Sequence, residues 1–393
     1  MNLDLVEAVE QELPFERPEF EHRLDNLRRS LAAAGLDAGI YFAPEDIYYL
    51  SGYNTTGAYY GFQALVVPVK SDPFFVCRQV EESNVVARSI VDKRYVFTDT
   101  DNPAAVLVKA LGAEQLVGRR LELDADSVAL SPRHYVKIEQ AIGEDKADTT
   151  TRCLRRVRQT KSDAEVALIR QAATVVRAGM DAAVKTIRAG STEHEVAAAC
   201  YSALILAGGE YPGMPPMIAS GKRASYGHAT WEGHRTIQAG DVVLLEIPGC
   251  IKRYHAVQFR CISVGTPSRE YQRRMDVVLA AREAVLKITR PGVTSEAVDR
   301  ALREPLKRGG LADHHVHRAG YGLGIAYPPR WDEGGILSLR EGDQTELRPN
   351  MIFHLLADLY FFNETLIGCS ETVLVTDTGN EVLTPYPTGF IVV

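Results

Sequence analysis

The sequence predicts an α+β catalytic domain with an internal duplication, preceded by a smaller α/β domain. Three observations predict it. The chain has 393 residues, too many for one ordinary domain. Its first part alternates amphipathic helical stretches with short apolar strands. Its second part repeats itself. AAVKTIRAGSTEHEVAAACYSALILAGG (Ala182 to Gly209) and EAVLKITRPGVTSEAVDRALREPLKRGG (Glu283 to Gly310) are equal in length. Each reads as a helix end, a glycine turn, a Ser/Thr-capped helix and a closing Gly-Gly. Strands follow each, DVVLLEIPG after the first and NMIFHLLADLY after the second. A repeat at about 100 residues means a duplicated α+β unit, because solenoid periods are shorter.

FEHRLDNLRRSLAAAGLDAGIYFA is an amphipathic helix closed by Gly35, then a buried strand through Ile40, Tyr41 and Phe42. FQALVVPV and DPFFVCR are two strands joined by a turn at Lys70 to Asp72. SNVVARSIV is helical, KRYVFTD a strand, AAVLVKALG a helix and RRLELDA a strand. A new unit opens at Lys161, where Ser162-Asp163-Ala164-Glu165 forms a capping box before the long pattern EVALIRQAATVVRAGMDAAVKTI. The expected domains are therefore 1–157 and 158–393.

Composition narrows the class. Hydrophobic residues make up 46% of the chain, enough for a sizeable core, and the net charge of -7 argues against a nucleic-acid partner. The basic pairs Arg119-Arg120 and Arg155-Arg156 are short enough to be solvated faces. The six cysteines form no C-x-x-C pair and read as small buried hydrophobes. MNLDLVEAVEQELPF is acidic and lacks the apolar core of a secretory signal, and no apolar run spans a bilayer. Scattered thiols without such a signal point to a reducing cytoplasm.

The chemical residues lie in the second part. His228 sits in ASYGHATWEGH, among Tyr226, Trp231 and His234. An imidazole titrating near neutrality can take a proton from water and return it to a leaving nitrogen. Glu246 interrupts the apolar strand VVLLEIPG, and a buried carboxylate is costly unless paired or used. Its structural reading is a salt bridge to Lys252 or Arg253. Tyr254 and His255 follow on RYHAVQFRC, on opposite faces of one strand, so at most one faces a site. Tyr321 lies between two glycines in RAGYGLGIAYPP. His354 shares a strand face with Leu356 and Asp358 in NMIFHLLADLY, and Glu371 opens a β run in IGCSETVLVTDTG. Asp332 and Asp358 read as structural or surface groups.

These residues carry a resemblance. From Lys161 to Val393 the chain resembles the creatinase/methionine-aminopeptidase family with its pita-bread fold, and the first part resembles the smaller domain of creatinase and aminopeptidase P. The markers are K-S-D-A-E at Lys161 to Glu165, GDVVLLEIPG, G-Y-G-L-G at Gly320 to Gly324 and E-L-R-P-N-M-I-F at Glu346 to Phe353. The family's metallopeptidases hold metal with Asp, Asp, His, Glu and Glu. Here Glu246 stands near the first of these, Val257 at the second, Tyr321 at the His, Leu356 at the first Glu and Glu371 at the last. The departure implies the metal-free, creatinase-like branch, with no cofactor. Within that branch the chain is similar to the ectoine hydrolases, through EIxGCxKRYH at Glu246 to His255 and G-Y-x-x-G-x-x-Y-P-P-x-W at Gly320 to Trp331. The stretch SGYNTTGAYYGFQ differs. In this fold such a stretch can come from the partner subunit of a homodimer.

The resemblance implies hydrolysis of a C–N bond in a small polar compound, a cyclic amidine or a related amide or guanidino compound. His228, which matches the catalytic His of creatinase, would move the proton, with Glu246 and Glu371 binding cationic N–H groups. Tyr59, Tyr60, Tyr254, His255, Tyr321 and His354 would line the substrate. The expected partners are a small molecule and a second copy of the chain, with no nucleic acid and no membrane. Two alternatives stay open: a metal-dependent Xaa-Pro peptidase, and a catalytically inactive binding module.

Overall fold

The computed structural model describes residues 10–59 and 61–393. Contacts divide the chain into two compact units, Met1–Arg158 and Gln159–Val393.

The first unit is built on one mixed sheet. Its strands are β1 (Ala38–Tyr41), β2 (Ala64–Pro68), β3 (Phe74–Arg78), β4 (Lys93–Phe97), β5 (Leu121–Leu123) and β6 (Ala147–Asp148), in the order β4-β3-β2-β1-β5-β6. The helix Arg17–Ala33 starts with Pro18 in its first turn and buries Phe20, Leu24, Leu27 and Leu31. That spacing of three and four residues is one apolar stripe. Ile40, Val66, Val76, Leu107 and Leu111 join a second buried cluster. Each such side chain contributes about 1.5–3 kcal/mol by leaving water.

The second unit contains the duplication. Helices Asp163–Thr186 and Glu193–Leu206 precede β7 (Met217–Ser220), β8 (Val242–Ile251) and β9 (Tyr254–Ser263). Helices Arg269–Ile288 and Ser295–Arg308 precede β10 (Gly320–Gly322), β11 (Ser338–Leu339), β12 (Ile352–Phe361), β13 (Thr365–Val375) and β14 (Asn380–Val382), and β15 (Ile391–Val392) closes the chain. The Ser162 capping box is present, with Glu165 as its reciprocal partner, and Thr192 and Thr294 cap the second helix of each half. Lys161, which opens the unit, forms a buried ion pair with Glu333 at 2.7 Å.

Two sheets result, β15-β9-β8-β7 and β11-β10-β12-β13-β14. They meet where β9 passes β13. β15 pairs with β9 only at Ile262 and Ser263, so the rest of that edge needs other partners. Hydroxyls of β13 supply them. Thr372 Oγ1 accepts from Val257 N at 2.9 Å and donates to Val257 O at 2.8 Å, while Ser370 Oγ accepts from Phe259 N at 2.8 Å. The approach is close enough that a Cβ on Gly368 would lie 2.6 Å from the Phe259 ring and 2.7 Å from Ala357 O, so the strand needs glycine there.

Candidate active site

A cavity of about 200 Å³ opens in the second unit. Strand alternation selects its walls. β8 contributes Leu244 and Glu246, β12 contributes Leu356, Asp358 and Tyr360, and β7 and β9 contribute Met217 and Phe259. Register explains the grouping: Met217, Glu246 and Phe259 form one cross-strand row. The loop after β7 brings Tyr226 and His228, β10 brings Tyr321, and the segments flanking β10 bring His317, Arg318, Trp331 and Asp332.

Glu246 is the most perturbed acid of this cavity. Burial between apolar neighbours raises its pKa to about 8, and the nearby Asp358 carboxylate adds to the shift. No ion pair or side-chain hydrogen bond engages Glu246 among the described residues, and the Arg253 guanidinium is bonded to the Tyr211 and Ala326 carbonyls, so the expected salt bridge is not formed. Asp358 is held differently. Its Oδ1 accepts from His315 Nδ1 at 2.9 Å, and the same nitrogen lies 3.1 Å from the Asp358 carbonyl oxygen. Both partners are acceptors, so that nitrogen carries a proton.

Cations and rings also line the cavity. The Arg318 guanidinium lies 4.8 Å from the Tyr321 ring centroid, and no carboxylate pairs with it among the described residues. His317 stacks on Tyr360 at 5.8 Å, and burial lowers its pKa, which keeps it neutral at pH 7. His228 is exposed to the cavity mouth with φ +61°, a left-handed backbone that a non-glycine residue adopts only when its surroundings impose it. Behind the wall, Tyr321 Oη lies 2.8 Å from His354 Nδ1 and accepts from Trp331 Nε1 at 2.9 Å. His354 is fully buried, and burial pushes its pKa down to about 3.

The structure thus brings together His228, Glu246 and Tyr321, with His354 behind Tyr321. It does not bring Glu371, Tyr254 or His255 to the cavity, which corrects their expected roles. Glu371 Oε1 accepts from Arg260 Nη2 at 2.8 Å and Arg282 Nε at 3.0 Å, while Thr384 Oγ1 donates to its Oε2 at 3.3 Å. It is a buried counter-ion between β9, β13 and the helix Arg269–Ile288. Tyr254 Oη donates to Glu165 at 2.9 Å. His255 accepts from Gly213 N at Nε2, 2.9 Å, and its Nδ1 faces the Arg253 carbonyl at 2.9 Å, a fully used core histidine whose pKa burial pushes to about 3. Tyr60 lies outside the described residues, and of Tyr59 only the backbone is described, in the 3-10 turn Thr56–Tyr59.

His317, Arg318 and Trp331 are cavity residues that sequence reasoning missed as site groups, and Asp332 and Asp358 are wall residues rather than surface groups. For Asp358 a signal existed, because alternation places it on one face with Leu356.

An α+β hydrolase architecture with its polar cavity in the duplicated half is the class this fold and site define. The chain belongs to metallopeptidase family M24, whose model matches residues 167–377, and the creatinase/prolidase N-terminal domain matches residues 23–160. It is 30% identical to an uncharacterized hydrolase/peptidase, y4tM, of Sinorhizobium fredii, covering 97% of this chain and 99% of that one. It is 27% identical to the ectoine hydrolase of Halomonas elongata, covering 96% of this chain and 98% of that one. Among solved structures, recombinant prolidase from Thermococcus sibiricus superposes with a TM-score of 0.85 at 20% identity, covering 95% of this chain and 99% of that one. The fold is therefore the pita-bread fold of prolidases, and the chain is a hydrolase of that family.

The family name implies a metal, and the residues present do not fit one. Among the described residues no group of three or more His, Cys, Asp or Glu side chains could hold an ion. Val257 and Leu356 offer no donor, and both oxygens of Glu371 are engaged by protein donors, two of them arginines.

Proposed function

We propose that this protein hydrolyses a C–N bond in a small zwitterionic compound, a cyclic amidine of the ectoine kind or a related amide or guanidino compound, without a metal. What supports this reading is one cavity of about 200 Å³ lined by Glu246 and Asp358 and by Arg318, which pairs with no carboxylate among the described residues. A ligand bearing a cationic N–C–N group and a carboxylate suits both the acids and Arg318. Its cation would lie against Glu246 and Asp358, and its carboxylate against Arg318. A cationic ligand also favours the ionised form of Glu246, so binding converts a neutral acid into a charged acceptor.

Water adds to the planar carbon between the nitrogens. His228 takes a proton from that water as the C–O bond forms and delivers it to the nitrogen; as the C–N bond breaks, the remaining hydroxyl proton passes to the released amine and leaves a carbonyl. The sum is substrate plus one water. The apolar residues Leu244, Phe259 and Leu356 strengthen these charge interactions by displacing solvent. The similarity to the Halomonas elongata ectoine hydrolase supports this reading over peptide cleavage, as do the apolar residues at Val257 and Leu356.

The test is mass spectrometry of EDTA-treated protein incubated with ectoine, 5-hydroxyectoine, creatine and small amides. The expected result is a compound that gains one water without added metal. Cleavage of Xaa-Pro peptides that appears only after metal is restored would overturn the proposal.

A further inference from the structure

We infer that Tyr321 is held as an obligatory hydrogen-bond donor into the cavity, its phenolic proton directed there by a chain of buried groups that starts at Ser370. The inference extends the proposed hydrolase reading by assigning the donor that would meet the oxygen added to the attacked carbon.

The position of the proton follows from a count of donors and acceptors. His354 is neutral, so its ring carries one proton. Its Nε2 contacts Ser370 Oγ, and its Nδ1 contacts Tyr321 Oη. Ser370 Oγ also accepts the Phe259 amide proton, and Tyr321 Oη also accepts the Trp331 indole proton. If Nε2 held the ring proton, Ser370 Oγ would accept two N–H groups, and its own proton would find no acceptor among the described residues. Ser370 is buried at 1% exposure, where an unmade hydrogen bond is disfavoured. If Nδ1 holds it, the one proton left without a protein acceptor is that of Tyr321 Oη, which lines the cavity. Ser370 donates to Nε2, and Nδ1–H donates to Tyr321 Oη.

Tyr321 Oη then accepts from both His354 and Trp331, and its own proton has only the cavity to turn to. Burial and the nearby Glu246 and Asp332 carboxylates raise the phenol's pKa well above its ordinary value, so the proton stays. A donor fixed before substrate arrives needs no reorganisation during reaction. His354, Ser370 and Trp331 are positioning residues in this arrangement.

Two measurements test it. The first needs no substrate: nitrogen-15 NMR of histidine-labelled protein at pH 7, with the His354 signals assigned by their loss in His354→Gln. A protonated Nδ1 and an unprotonated Nε2 are expected. The reverse tautomer would overturn the inference. The second uses ectoine as the probe. Tyr321→Phe should lower kcat about a hundredfold, in line with removal of one such donor, while KM changes little. An unchanged kcat would remove Tyr321 from catalysis. Should the unsubstituted enzyme leave ectoine intact, the substrate reading falls, and the tautomer still decides the donor.

Discussion

Glu246 shows how one residue's environment couples stability to chemistry. Its folded pKa of about 8 stands above the carboxylate's ordinary 4.5. The folded state therefore holds a proton that the unfolded state releases. Stability is unpenalised below about pH 4.5, falls as pH rises toward 8, and levels off above it. Glu246→Gln removes the penalty. Its melting temperature should exceed that of the unsubstituted protein at pH 8 by an amount equivalent to about 4 kcal/mol, and nearly match it near pH 4.5. Equal melting curves at both pH values would show that the carboxyl is solvated. Because Glu246 acts as a carboxylate, kcat/KM should rise with pH along a titration near 8, and a flat profile from pH 6 to 9 would remove Glu246 from the mechanism. His228 gives a cleaner separation. It is exposed, so His228→Ala should unfold at nearly the same temperature as the unsubstituted protein yet lose turnover by about a hundredfold or more. Near-normal hydrolysis would exclude it as the proton carrier.

The strand pair β9 and β13 fixes what its residues can do. β13 carries Glu371, and β9 carries Arg260, opposed across the sheet junction with 2% and 0% of their side chains exposed. Arg260 also donates to the carbonyls of Ser370, Phe259 and Pro387, so the ion pair sits in a fully bonded set. Glu371→Ala would leave two arginines facing one another in the core. The expected cost is about 3–5 kcal/mol of stability, read as a shift of the urea midpoint. A loss of turnover at unchanged stability would instead return Glu371 to the catalytic set. This element also shows why its role was hidden. Alternation along NMIFHLLADLY reveals that His354, Leu356 and Asp358 share a face, because that pattern is local. The partnership of Glu371 with Arg260 and Arg282 joins positions about a hundred residues apart and leaves no periodic trace. His255 misled for the same reason: its ring is satisfied by Gly213 and Arg253, and only the fold supplies the first.

At the scale of the whole molecule, the duplication was legible because each half repeats its turn glycines, its caps and its apolar periodicity, all of which are local physics. The site was legible only where one strand carries it. His317 and Arg318 became cavity residues through the path of the segment before β10, which no short pattern encodes. The two-sheet junction also determines how the molecule responds to metals. A family site needs several oxygen donors converging from both sheets. Here the junction places a guanidinium against Glu371 and apolar side chains at Val257 and Leu356, so cation charge is already supplied by the chain. A ligand that binds only the folded state raises stability by about 2.7 kcal/mol at a hundred times its dissociation constant. Millimolar manganese, cobalt or zinc should therefore leave the unfolding temperature of EDTA-treated protein unchanged. Equilibrium dialysis should recover far less than one ion per chain. A stoichiometric ion that raises the melting temperature would show that Glu246 and Asp358 recruit metal without Glu371, and would reopen the peptidase reading.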